Sequence, residues 1–310
     1  MSIEFNKNIF YGELVKGNLN GAVKYLKQFA DRIELYNKYI SVFEKEQYST
    51  FEIDDRLNEI LIIYQKYYRE VFYLNIEAEK AAENMKNRFF HFFNMKNKKI
   101  EFREIEENEI AEAFHSSSFQ FLGGKTGGYF GPYIWKKTEL KKYDVELPDG
   151  MKEYTVILLS DFISKGWIDY ISFGEVGTGG WVDGDGIINC IKESYNLKDE
   201  SFQVSLLKHE AQHAMDQLNY KNMSSEDLEY RAKLVELIYS RERNLLKQFI
   251  YEADSSKMNN GHSLASNRII DEFAKKQNGE ELEELSIEEI RSISKTLFKE
   301  SNEEVKIKYN

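Results

Sequence analysis

From residue 54 onward, apolar side chains recur at alternating steps of three and four: Leu57, Ile60, Tyr64, Tyr67, Val71, Leu74, Ala78, Ala81 and Met85. That spacing puts them on one face of an α-helix, as in helices that pack along one another's length. A second run, residues 20–46, places Val23, Leu26, Ala30, Ile33, Ile40 and Phe43 on one stripe, interrupted by the polar Asn37. Residues 47–51 read as the turn between the runs. Together they predict an N-terminal helical hairpin, with Phe89, Phe90, Phe92 and Phe93 docking it onto the rest of the chain, and they set residues 1–98 apart as a helical region.

Beyond this region the texture changes. A short helix is expected over residues 105–114, then extended segments at 116–122 and 129–137. Strands at 143–147 and 153–159 flank Pro148-Asp149-Gly150, a strong hairpin signal. An amphipathic helix at 161–171 and another strand within 177–188 come next. Helices are expected over 201–218, 225–251, 263–276 and 287–299, the last opened by a capping box, Ser286-Ile287-Glu288-Glu289. Strands and then a run of helices define an α+β fold, here with a small mixed sheet and a mostly helical C-terminal half.

Composition narrows the function. With 53 acidic against 42 basic residues, the formal net charge is -11, and Lys and Arg are scattered. No basic face for nucleic acid is expected from that balance. The single cysteine, Cys190, forms no intramolecular disulfide and fits a reducing compartment. Residues 1–14 contain no apolar leader core, and no apolar stretch is long enough to span a membrane, so a cytoplasmic location is expected. Gly123-Gly124-Lys125-Thr126 is not a phosphate loop: Phe119 stands where the leading glycine belongs, and Gly127-Gly128 cannot readily open a helix.

The chemistry concentrates at His209-Glu210-Ala211-Gln212-His213. Histidines four apart lie one turn apart on one helix face, so both imidazoles can reach one ion, while Glu210 can address a water on it. The alternative is a solvated helix with two unrelated histidines. Against it, Leu206, Leu207, Ala211 and Ala214 mark a buried side, where unpaired polar groups are costly. Asp216 and Asn219 stand where a metzincin would carry glycine and histidine. A glutamate on the next helix would complete a His2Glu site and leave a fourth position for water. Glu229, in the first turns after Ser224, which reads as an N-cap, fits that role, and Glu236 two turns on is the second candidate.

His209-Glu210-x-x-His213 with Glu229-Tyr230-x-Ala232 after it resembles the gluzincin group of zinc peptidases. Residues 262–270, with His262, Arg268, Ile269 and Ile270, resemble the histidine-x5-arginine-isoleucine element of neprilysin-like and CAAX-prenyl-protease-like gluzincins. The resemblance covers about residues 177–270. It implies a zincin-like domain over 99–310 that hydrolyses a peptide or protein substrate. Zn2+ would sit on His209, His213 and Glu229, with Glu210 as general base, His262 stabilising the oxyanion and Arg268 holding substrate. Lys233 stands where gluzincins often carry the acid that orients the first histidine, and the proline usual after the histidine of the second element is missing.

Two readings stay open from the residues alone. His262 comes after an Asn259-Asn260-Gly261 turn and is either a surface residue at a helix start or a functional one. Gly179, Gly180 and Trp181 form either a bulge or a strand edge that accepts an extended peptide; the resemblance implies the second, which makes them substrate-binding. The alternative function is an inactive zinc-containing interaction module that uses the helical hairpin as its surface.

Overall fold

The computed structural model describes residues 4–95, 100–253, 261–277 and 281–309. It is an α+β fold, about 59% helical with 14% strand in small mixed sheets. The chain divides into two compact units, residues 1–137 with 160–178 and residues 138–159 with 179–310. The boundary expected at 98–99 touches residues outside the described set, and the units part elsewhere.

The first unit contains α1 (Lys7–Val15), α2 (Leu19–Leu26), α3 (Ile33–Tyr39), α4 (Asp55–Tyr68), α5 (Ala78–Phe92), α6 (Phe102–Ile105) and α7 (Ala111–His115). Its strands are β1 (Gln120–Leu122), β2 (Lys125–Thr126), β3 (Tyr129–Phe130) and β4 (Tyr133–Trp135). The run expected over 20–46 is broken because Phe29 adopts an extended backbone and buries its ring against Phe5 and Tyr25, at centroid distances of 5.4 and 4.9 Å. The run over 54–85 breaks too. It ends in a π turn (Arg69–Tyr73), and Asn75 takes a φ of 55°. Asparagine tolerates that left-handed conformation, which helices often use to stop. Leu74, expected on the buried stripe, is exposed as a result. The helical hairpin therefore lies within this second run, as α4 packed on α5.

The second unit contains β5 (Lys137–Leu147) and β6 (Gly150–Ser160) except for their outer ends, Lys137 and Ser160, and the two strands join at the expected Pro148-Asp149-Gly150 turn. Residues 161–171, expected as one helix, are instead a turn, β7 (Ser164–Lys165) and α8 (Gly166–Ile171) of the first unit, with Asp161 and Gly166 both at positive φ. The strand expected within 177–188 is two strands, β8 (Gly180–Val182) and β9 (Ile188–Ile191). The Asp183 carboxylate makes the turn between them, accepting the amides of Asp185 and Ile187, each at 3.0 Å. The sheet order is β5-β6-β9-β8, so β8 is an edge strand. It pairs antiparallel with β9, which runs parallel to β6.

The helices of this unit are α9 (Glu200–Gln203), α10 (Leu207–Asn219), α11 (Ser225–Tyr239), α12 (Asn244–Glu252), α13 (Gly261–Lys276) and α14 (Ile287–Tyr309). Alternate residues of β6, Tyr154, Val156 and Leu158, are buried in one core with Leu207, Ala211 and Ala214 of α10. The helix expected over 225–251 stops at Ser240, whose hydroxyl donates to Glu200 and caps the amide of Glu242, while Arg291 takes its carbonyl with two hydrogen bonds. The capping box of α14 is formed: Ser286 Oγ accepts from Glu289 N at 3.2 Å and Glu289 accepts from Ser286 N at 2.9 Å. No helix among the described residues is long and apolar enough to cross a membrane.

Candidate metal centre

Two helices build the site. The apolar side of α10 lies in the core, which turns His209, His213 and Asp216 toward α11, and all three are buried. Ser224 caps α11, its hydroxyl accepting from Asp227 N at 3.2 Å. This fixes the first turn of α11 and presents Glu229, Lys233 and Glu236 on a common face, at steps of four and three.

Glu229 lies between the imidazoles. Its Oε2 is 3.4 Å from His209 Nε2, its Oε1 is 3.5 Å from His213 Nε2, and His262 Nδ1 is 2.9 Å from Oε2. Despite these approaches, Glu229 Oε2 is buried without an aligned hydrogen-bond donor among the described residues. One ligand atom from each of His209, His213 and Glu229 lies within 4.8 Å of the others. Two nitrogen donors and one carboxylate fit a divalent cation, and a buried carboxylate oxygen without a donor is costly unless a cation satisfies it.

On its far side, His209 Nδ1 meets Glu236 Oε1 at 2.7 Å. Glu236 is thus a partner that orients the first histidine, not one of the clustered ligand groups. Burial alone would lower the His209 pKa, but the charge of Glu236, joined by Glu229, pushes it up to about 10. Burial would raise the Glu229 carboxyl, yet His209, His213 and His262 hold it far below the usual carboxylate range. Lys233 turns away from the imidazoles and bonds Glu252 at 2.7 Å. Glu210 is partly exposed on α10 between the histidines.

Gly261 explains how His262 reaches this place. A Cβ there would stand 2.2 Å from Ser225 Oγ, so only glycine lets the start of α13 lie on the start of α11. His262 then overhangs Glu229 while its side chain stays 63% exposed. Of the expected turn before it, Asn259 and Asn260 lie outside the described residues. Arg268 is not in the His/His/Glu cluster. Its guanidinium contacts Asp227 at 3.0 Å, Glu272 at 3.1 Å and Glu304 at 2.5 Å, and stacks over Tyr230.

The two glycines beside the edge strand have packing reasons. A Cβ on Gly179 would fall 1.9 Å from the Tyr195 hydroxyl, and one on Gly180 would fall 2.5 Å from Asn189 O and 2.7 Å from a Leu206 methyl. Burial pushes the Tyr195 hydroxyl up to about 12, with Cys190, Glu210 and Glu236 adding to the shift. Gly179 O accepts from Ile191 N at 2.8 Å, and Asp183 N donates to Ile187 O at 3.0 Å. By antiparallel alternation, the backbone groups of Gly180 and Val182 point away from β9, while Trp181 is partly exposed.

Sequence reasoning missed a buried ion pair, Arg231 Nε to Asp216 Oδ2 at 2.8 Å. Its signal was present in part: Asp216 continues the face of His209 and His213, and Arg231 stands two residues after Glu229. Compared with protein-family models, with curated proteins and with solved structures, the chain matches none of them.

Proposed function

We propose that the chain is a zinc-dependent, gluzincin-like peptidase acting on a peptide or protein substrate in the cytoplasm, where the thiol of Cys190 stays reduced. The observation that carries the reading is the convergence of His209, His213 and Glu229 from two helices, with Glu210 on the turn between the histidines. Bound at these three residues, Zn2+ would supply Lewis acidity and a water of lowered pKa.

The chain's own residues have separable tasks. Glu210 accepts the proton of the attacking water and passes it to the leaving amine. The other ring nitrogen of His262, Nε2, donates toward the developing oxyanion, a role worth about 3–4 kcal/mol where such donors have been removed. The outward backbone groups of Gly180 and Val182 pair with an extended substrate, beside Gly179 and Trp181. Arg268, held by three carboxylates, contributes by fixing α13 and through it His262.

That engagement of Arg268 also favours a second reading, a zinc-containing interaction module without turnover, because the arginine is not free to hold substrate. Metal analysis of the purified chain, and then cleavage of a peptide library with and without a chelator, separates the two. One zinc per chain with chelator-sensitive cleavage is expected. Stoichiometric zinc without cleavage supports the module, and a chain that takes up no zinc overturns both.

A further inference from the structure

Behind the ligand face of α10, several polar atoms are buried without a hydrogen-bond partner among the described residues: His213 Nδ1, Asp216 Oδ1, both ends of the Gln212 amide, and the Tyr154 hydroxyl of β6. Gln212 is 0% and Asp216 1% exposed. Asp216 lies three residues after His213 and four after Gln212, which makes it the helical neighbour of both. Tyr154 is buried in the same core as Ala211 and Ala214 of α10, and burial, with the charge of Asp216 adding to it, pushes its hydroxyl up to about 12. Each such orphan is costly if left unpaired. A buried water satisfied by about 2–4 polar partners relieves several at once.

The ion pair shows why one oxygen is left over. Arg231, 2% exposed, takes Asp216 Oδ2 through Nε at 2.8 Å and spends Nη1 on Ser301 and Asn302, each also at 2.8 Å. Its guanidinium lies over the Phe298 ring, 4.5 Å from the centroid. Asp216 is thereby clamped through one oxygen, and its Oδ1 has no hydrogen-bond partner among the described residues. A histidine that binds metal through Nε2 must carry its proton on Nδ1, and that proton needs an acceptor. For His209 the acceptor is Glu236, in direct contact at 2.7 Å. His213 has no direct one among the described residues.

We propose that Asp216, clamped by Arg231, is the positioning residue of the second histidine, accepting the His213 Nδ1 proton through a buried water shared with Gln212 and Tyr154. The two imidazoles are then fixed alike, each by a carboxylate behind it, one directly and one through water. The inference rests on the proposed metal site but assigns a residue that the site itself does not require.

The test uses the full chain and two variants. D216L/R231M removes the acceptor together with its ion-pair partner, so no buried charge is stranded, and a swap of this kind often preserves folding. D216N keeps the volume and one acceptor oxygen without charge. Zinc affinity is measured by competition with a chelator, and the visible spectrum of the cobalt(II)-loaded chain reports ligand geometry independently of any turnover. In folded D216L/R231M, zinc is expected to bind about 10–100-fold more weakly, with shifted cobalt bands. D216N is expected to lose about tenfold, the charge-assisted share of the hydrogen bond, and it decides the matter if the double variant does not fold. Wild-type affinity and spectrum in either folded variant overturn the positioning role alone. A wild-type chain that binds no zinc overturns the metal reading and this inference with it.

Discussion

Glu236→Gln isolates the contribution of a carboxylate behind a histidine. Glu236 is 5% exposed and meets His209 Nδ1 at 2.7 Å, so the contact is short, charged and shielded from water. Hydrogen bonds to charged groups contribute about 1.5–3 kcal/mol, and about 1.4 kcal/mol corresponds to tenfold in binding. Glutamine keeps the volume but can also turn its amide N–H toward Nδ1, which would stabilise the tautomer with its proton on the metal-facing nitrogen. Loss of such orienting groups typically weakens metal binding about 10–100-fold, in agreement with the energy range. Chelator competition on the purified chain reads this directly, with circular dichroism and an unfolding curve confirming that the variant is folded. At saturating zinc, E236Q is expected still to hold one ion per chain, because His209, His213 and Glu229 remain. A folded E236Q with an affinity within about twofold of wild type would refute the reasoning, since the effect anticipated from the contact is at least tenfold.

Glu229→Ala removes a ligand, so zinc content should fall sharply at concentrations that saturate wild type; unchanged stoichiometry would move the third ligand elsewhere. Glu210→Gln should retain zinc and lose turnover, and normal peptide cleavage by that variant would remove Glu210 from the role of base. A pH effect is expected from the first unit at Glu106, a buried carboxyl that accepts from Tyr64 Oη at 2.8 Å and Gly124 N at 3.1 Å. Burial raises its pKa above the ordinary 4.5 despite those two donors. The folded state thus favours the protonated form, and this contribution is fully present below the ordinary value and lost as pH rises through the raised one. The stability of wild type should therefore decline relative to E106Q over that window, by about 1.4 kcal/mol for each unit of the shift. Urea unfolding of both proteins at several pH values measures it, and parallel pH profiles would discard the explanation.

The parts of this molecule legible in the sequence are those set by local rules. The α+β pattern, the turn at Pro148-Asp149-Gly150 and the capping box at Ser286 and Glu289 depend on neighbours in the chain. Two of the breaks were not legible, because they are imposed from a distance. Phe29 leaves helical geometry to pack edge-on against Phe5 and Tyr25, and Ser240 ends α11 because Arg291, 51 residues away, claims its carbonyl. Helical periodicity cannot report such events, since the residues on either side keep their apolar spacing. The same limit explains why Gly179 and Gly180 remained ambiguous: the atoms that forbid a side chain there, on Tyr195, Asn189 and Leu206, come from other segments.

The partner of His209 shows how a site can be readable in its ligands and hidden in its support. Position 233, one turn after Glu229, holds a lysine, so a fixed-spacing comparison finds no acid behind the first histidine. On a helix of 3.6 residues per turn, however, positions four and seven after a residue lie on nearly the same face, one turn apart. A long glutamate side chain at the farther position can reach back toward the helix N-terminus, the direction in which helical side chains lean. Glu236 does so, closing on His209 at 2.7 Å, while Lys233 swings to Glu252. An acid one turn further along the helix makes the contact with His209 yet falls outside the fixed spacing. Had Lys233 pointed at the imidazoles, its charge would have opposed a bound cation. Paired with Glu252 and laid over the Phe249 ring, it is accommodated as a buried charge with a partner of its own. The surroundings of His209 therefore depend on two side chains along one face of α11, Glu236 turned to the imidazole and Lys233 turned to Glu252, and reading them required the fold as well as the spacing.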